Sequence, residues 1–490
     1  MAHRCLYLVV LAFALDVLPA GADPPETILV SVNADATHGG NLDSIAQGMT
    51  PDGRFVLFDS SATDLAPNDI NGYQDVFVRD LVSGTTTLVS VNRAGSGTGD
   101  SESAGIAISA NGRFVLFESF AIDLVDVRSK RRLNVFVRDL KAGTTSLVSV
   151  NRAGTAAARG LSGGLALSPS GRFAVFISNS TNLTRNDKDD LFDLFVRDTK
   201  AQKTALVSVE LTDKPSERLR SIPDQDGRFV LFNGAGHYTP YGTPGGGGIY
   251  VRDLRTATTT LVTLDREGTA GANGYSDAVA MTPNGRFVLF DSQASDLVKN
   301  DSGFGFDAFV RDVTKETATL VSVNRTGTGP ANGESNARGI SSGGRFVVFG
   351  SRATDLVDND SNESPDVYVR DMATSITSLV SVNLSGTSSG VLALPQAISS
   401  NGRFVLFGSW ANDLVPVDGN TNFDVFVRDL RSQTTTLVTM NRMGAGGANH
   451  SSGPVAISRN GRFVLFNSYA TDLIATDTTP AQNVFVRRMW

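Results

Sequence analysis

The triplet Gly-Arg-Phe occurs eight times, at Gly53, Gly112, Gly171, Gly227, Gly285, Gly344, Gly402 and Gly461. The steps between copies are 59, 59, 56, 58, 59, 58 and 59 residues. Spacing this regular defines a repeat array, which constrains the fold before any local motif is read. A residue present in every copy is explained first by the architecture. A specific site is expected where copies differ, or where one loop type concentrates unusual chemistry.

One copy shows the plan. Gly105-Ile-Ala-Ile-Ser109 is a short apolar run, and Ala110-Asn111-Gly112 is a tight turn. Arg113-Phe-Val-Leu-Phe-Glu118 follows, then a loop to Asn134 and a third run, Val135-Phe-Val-Arg-Asp-Leu140. Lys141-Ala142-Gly143 turns the chain into Thr145-Ser-Leu-Val-Ser-Val-Asn151. These are four strand-length segments rich in Val, Phe, Ile and Thr, with no helical periodicity. The second is apolar at successive positions, as a strand covered on both faces would be. The fourth alternates, which suits an outer strand with a wetter face.

Four strands repeated eight times predict an all-β, eight-bladed β-propeller of four-stranded antiparallel blades. Thr27-Ile-Leu-Val-Ser-Val-Asn33 reads as a fourth strand arriving before any first strand. Asn483-Val-Phe-Val-Arg-Arg-Met489 reads as a third strand with no fourth after it. The N-terminal strand is therefore expected to complete the last blade and shield its edge. A solenoid of the same units is the alternative, and it would not need that exchanged strand.

Segments such as Ser168-Pro-Ser-Gly-Arg-Phe-Ala-Val-Phe176 and Asp193-Leu-Phe-Val-Arg-Asp198 resemble the WD40-like repeat known as PD40. That repeat builds the propeller of TolB-type periplasmic proteins. The resemblance runs from about residue 27 to 490. It implies an extracytoplasmic protein that binds other proteins or envelope components. TolB has six blades and a separate N-terminal domain. The eight copies and the lack of that domain here keep TolB's own role from carrying over.

At 41% hydrophobic and 19% charged residues the composition is that of a folded chain. The net charge of −7, with no long basic run, argues against nucleic acid as a partner. Residues 1–22 read as a signal peptide. His3 and Arg4 precede an apolar stretch from Cys5 to Leu15, and Ala20-Gly21-Ala22 offers a cleavage site before Asp23. The stretch is short for a membrane span, so no stable span is expected in the mature chain. A retained N-terminal anchor is the alternative. Residues 23–490 form the propeller, and the product is expected to be periplasmic or secreted. Cys5 is the only cysteine, so the mature chain has no disulfide, thiol nucleophile or cysteine-ligated metal.

The turns between first and second strands, and between third and fourth, span about three residues each. The second-to-third and blade-to-blade loops are long, as in Ser60 to Gln74 and Arg93 to Ser103. In a propeller these two sets lie on opposite faces, and long loops on a rigid scaffold carry binding. The long loops hold the one repeated chemical motif. Asp69, Asn71 and Asp75 place oxygen ligands at i, i+2 and i+6. The spacing returns as Asp187, Asp189 and Asp193, as Asp360, Asn362 and Asp366, and as Asp418, Asn420 and Asp424. Asp301 and Asp307 keep the outer two, with Gly303 between. Hard cations such as Ca2+ take several carboxylate and carbonyl oxygens, so calcium is the candidate cofactor. Asp and Asn also make Asx-turns for conformational reasons alone, and the twelfth-position Glu of an EF-hand is missing. Both readings stand at this level.

Two copies depart from the motif. In the second blade, alignment puts Arg128 and Lys130 at the first two ligand positions, as built-in cations or as a solvated basic loop. In the fourth, Gly236-His-Tyr-Thr-Pro-Tyr-Gly-Thr-Pro-Gly-Gly-Gly-Gly248 suits partner or sugar contact, or is simply degenerate. Arg54 and Arg79 and their equivalents, the latter beside an Asp in all copies but that of Arg488, read as a structural ladder. His38, His237 and His450 show no metal-ligand spacing, and there is no Gly-x-Ser-x-Gly elbow or sialidase Asp box. A non-enzymatic module is therefore expected, binding a protein or envelope polymer through its long-loop face. The alternative is a carbohydrate-active hydrolase or lyase with its site at the channel mouth, since an acidic face offers many carboxylate pairs.

Overall fold

The computed structural model describes residues 25–69, 71–127, 131–208, 222–223, 227–234, 248–301, 305–477 and 479–490. Its strands form eight four-stranded antiparallel sheets arranged as the blades of a propeller. Blade one is Ser44–Met49, Phe55–Ser60, Asp75–Asp80 and Thr85–Leu88, paired in that order. The last blade is Ser452–Ile457, Phe463–Ser468 and Asn483–Arg488, and its fourth strand is Glu26–Leu29. Glu26 to Leu29 pair in register with Arg488 to Phe485, so the expected closure is present.

The second and third strands carry most of the core because both of their faces are covered. Val56, Leu57, Phe58, Val76 and Phe77 are fully buried. One face packs within the interface to the preceding blade and the other toward the following one. Val30, Val56 and Phe58 thus share a cluster with Leu465, Val484 and Val486 of the last blade. Each blade also pairs one aromatic ring from its second strand with one from its third, at centroid separations of 5.4 to 5.6 Å. Offset stacking at this distance adds to the area buried.

The fourth strand is shorter than its sequence suggests. Pairing stops at Leu147, and the following Val148 to Asn151 turn into the connection to the next blade. There Val150 makes an isolated bridge to Ala157. The cause is local: the Val148 N–H and Ser149 hydroxyl are drawn to the start of the third strand, at Val135 and Asn134. First strands carry a bulge opposite the second strand, as between Ala46 and Gly48. First strands of adjacent blades approach one another and surround the central channel.

Candidate functional site

The tight-turn face is occupied by structural contacts. Arg54 donates through Nε and Nη2 to the two carboxylate oxygens of Asp80, at 2.9 and 2.8 Å. The same clamp joins Arg113 to Asp139, Arg172 to Asp198, Arg286 to Asp312, Arg345 to Asp371 and Arg403 to Asp429. Arg228 holds Asp253 likewise. Each of these arginines also lies over the ring of the phenylalanine that follows it. In the last blade Arg462 reaches the Trp490 carbonyl instead, at 2.7 Å, and Arg488 turns to Glu26 of the closing strand, at 2.8 Å. Arg79, adjacent to Asp80 in sequence, does not complete the ladder. It donates to Thr86 at 2.9 Å on the neighbouring strand.

The opposite face carries the long loops, and here the Asx residues converge. Asp69 and Asp75 are buried, as are Asp187, Asp301, Asp307, Asp360, Asp366, Asp418 and Asp424. Asp193 and Asn71 are half-buried, and Asp189 is exposed. In seven blades the third strand starts with an Asx residue whose Oδ1 is held by a hydroxyl just past the fourth strand; in blade four it starts with Gly248. Ser90 donates to Asp75 at 2.6 Å, Ser208 to Asp193 at 2.5 Å and Thr439 to Asp424 at 2.5 Å. The second carboxylate oxygen of Asp75 and of Asp424 has no hydrogen-bond partner. Asn71 bridges instead to the Gly99 carbonyl, at 2.7 Å, and Asn420 to that of Ala448, at 3.2 Å. Burial, with the charge of neighbouring Asp69, pushes Asp75 up to about 7. Burial likewise raises Asp187 to about 6, with Asp193 and Asp189 adding repulsion. The Asx-turn reading is also visible: the Leu191 N–H donates to Asp189 at 3.1 Å and that of Tyr73 to Asn71 at 2.9 Å. Gly303 of the fifth loop, Arg128 and Lys130 of the second, and residues 236–247 of the fourth lie outside the described residues.

A second pattern escaped sequence reasoning because it links adjacent blades. In five blades the fifth residue of the second strand accepts a backbone N–H from the first strand of the next blade; in blade three it is Ile177, which has no acceptor. Asp59 accepts from Gly105 at 2.8 Å, Glu118 from Gly164 at 2.9 Å and Asn233 from Ala278 at 3.0 Å. Asp291 accepts from Ala337 at 2.7 Å, and Asn467 from Ala46 at 2.9 Å across the closure. In blades six and seven this residue is Gly350 or Gly408, and the residue facing it is Pro395 or Pro454. Proline has no N–H to satisfy, so the acceptor is dispensable there. The signal was present as a paired exchange between copies, Asx or Glu with N–H against Gly with Pro.

Gly350, Pro395 and Pro454 line a cavity of about 620 Å³ at the long-loop end of the channel. Its lining includes Asp277, Asp291, Leu394 and Phe423, and Arg338, which donates to Gln396 at 3.0 Å. The residue that follows the second strand is aromatic in blades two, seven and eight. Trp410 and Tyr469 are each 44% exposed, and Phe120 is 38% exposed. Trp410 packs on Phe423 at 4.6 Å.

No known family model matches the chain, and no curated protein matches it in sequence. Solved structures that resemble it share 10 to 14% identity. One is a prolyl endopeptidase, with a TM-score of 0.48 over 91% of this chain and 55% of that one. This chain thus spans about half the length of that peptidase. Another is oligogalacturonate lyase from Vibrio parahaemolyticus, with 0.43 over 95% and 98%. A third is a protein of Agrobacterium tumefaciens provisionally designated TolB, with 0.31 over 63% and 94%. Likeness at this level concerns fold and carries no argument about chemistry. Among the described residues no helix is long and apolar enough to cross a membrane.

Proposed function

We propose that the chain is an extracytoplasmic, non-enzymatic binding module of PD40 type, engaging a protein or envelope polymer through its long-loop face. The observation that carries this reading is where exposed apolar side chains fall. Leu42, Tyr73, Phe120, Ile122, Leu161, Phe192, Trp410 and Tyr469 all belong to the loops of that face. The tight-turn face carries the Arg–Asp clamps, and its exposed apolar residues, Val82 and Ile376, are aliphatic. Exposed aromatics clustered on one side of a rigid scaffold mark an interaction surface. The apolar stretch before Asp23 supports export, and the PD40-like segments support an envelope setting.

The test is capture from the extracytoplasmic fraction of the native host by the immobilised mature protein. Trp410→Ser together with Tyr469→Ser should remove the captured partner while leaving circular dichroism and melting unchanged. Capture that survives both substitutions refutes the assigned face. Product release from acidic or neutral polysaccharides incubated with the protein would replace this reading with the hydrolase or lyase alternative.

A further inference from the structure

The Asx loop meets the cost of its buried carboxylates in two different ways. In blade eight the Asn483 amide donates to both oxygens of Asp477, at 3.2 and 3.3 Å, and the Thr479 hydroxyl adds a third bond at 3.0 Å. In blade six the Tyr368 hydroxyl donates to Asp360, and the Asn362 amide reaches Asp366 at 3.3 Å. These two loops carry their own donors.

Blade three does not. Asp187 is only 6% exposed, and neither of its carboxylate oxygens has a hydrogen-bond partner. Oxygens from Asp187, Asp189 and Asp193 all lie within 4.8 Å of one another. The two positions that supply donors elsewhere are filled by residues that cannot supply one. Phe195 stands where blade six has Tyr368, and Asp193 where blade eight has Asn483. Three carboxylates converge, one of them buried and unpartnered, which is unfavourable unless a positive charge joins them. An all-oxygen set in a short, adaptable loop suits a hard divalent cation.

Two other loops share the plan. In blade one, both oxygens of buried Asp69 and Oδ2 of Asp75 lack partners, and Phe77 replaces the tyrosine. In blade seven, Oδ2 of Asp424 lacks a partner, and Phe426 replaces the tyrosine. There the following connection crosses the loop at Gly447. A Cβ at that glycine would stand 2.3 Å from Asn420 Nδ2 and 2.9 Å from both Asp418 Oδ1 and Asp424 Oδ2. Glycine therefore lets backbone close over the carboxylates where any side chain would fill the space.

We propose that the blade-three loop binds a divalent cation of the calcium class through Asp187, Asp189 and Asp193, that the loops of blades one and seven bind further ions on the same plan, and that blades six and eight bind none. The ion ties each long loop to its own third strand. This inference is independent of which partner docks on the face.

Calcium titration of the chelator-treated full chain by calorimetry, with melting curves alongside, tests it. Wild type should release or absorb heat and melt higher at millimolar calcium. Asp187→Asn should bind one equivalent fewer and show a smaller calcium-dependent rise in melting temperature. Its apo form should melt no lower, because a charge leaves a cluster of like charges. Should that variant fail to fold, Asp189→Asn at an exposed position carries the same expectation. Tyr368→Phe should gain an equivalent, since it removes the donor that serves Asp360. No heat and no change in melting for wild type at millimolar calcium overturns the proposal. An unchanged stoichiometry in Asp187→Asn overturns the blade-three site, and no gain in Tyr368→Phe overturns the selection between blades.

Discussion

At the residue scale, Gly-Arg-Phe is one contact read twice. Gly112 adopts φ +72°, and a Cβ there would fall 2.1 Å from the ring of Phe55 in the preceding blade. Arg54 lies over the same ring, 4.7 Å from its centroid, while clamping Asp80. The phenylalanine of one blade therefore meets both its own arginine and the next blade's glycine. Gly143 adopts φ +66° but has nothing within 4 Å of its Cβ position. Gly112→Ala should then lose more stability than Gly143→Ala, whose cost is backbone strain alone, about 1 kcal/mol. Urea unfolding of the two variants makes the comparison, and equal losses would exclude the packing role of Gly112. The triplet was legible in the sequence as architecture, because every copy has it. Its contact was not, because the two partners are a repeat length apart.

Between elements, the link from one blade's second strand to the next blade's first strand sets local stability and its pH dependence. Asp59 is 3% exposed, and burial pushes it up to about 7 despite the Gly105 N–H and the Gln47 amide. Nearby Glu118 and Asp75 add repulsion. The unfolded carboxyl titrates near 4, so its folded value is raised. That contribution to stability is complete below about pH 4 and is lost as pH rises through about 7. Asp59→Asn keeps an acceptor for Gly105 and does not titrate. Its stability relative to wild type should therefore be higher at pH 8 than at pH 5, measured by denaturant unfolding at each pH. A difference that does not move with pH would refute the buried charge. Asp59→Ala should be about 1–3 kcal/mol less stable than Asp59→Asn at either pH, because it leaves the Gly105 N–H unpaired. This link was invisible to periodicity. It depends on which residues of two different copies meet across an interface, and the Gly350–Pro395 and Gly408–Pro454 exchanges make sense only once they are seen to face each other.

For the whole molecule, closure decides whether eight blades form a ring or a stack with two open edges. Glu26–Leu29 covers the third strand of the last blade, and Arg487 and Arg488 donate to Thr27 and Glu26 on it. Deleting residues 25–33 should expose that edge and remove Leu29 and Val30 from two blade interfaces. The expected outcome is aggregation or loss of a single cooperative transition, followed by light scattering and calorimetry. An unchanged melting transition would mean that the ring is held by blade packing alone. The strand count, the blade count and this closure were determined by the sequence alone, because a repeat that recurs every 56 to 59 residues must place equivalent strands equivalently. The long loops and their Asx residues were legible too, by spacing. What only the tertiary structure decided is how those loops differ. Asp187 and Asp477 occupy the same repeat position, yet one lacks hydrogen-bond donors and the other is satisfied by Asn483. Burial and hydrogen-bond satisfaction depend on atoms brought together by folding, and spacing along the chain does not report them.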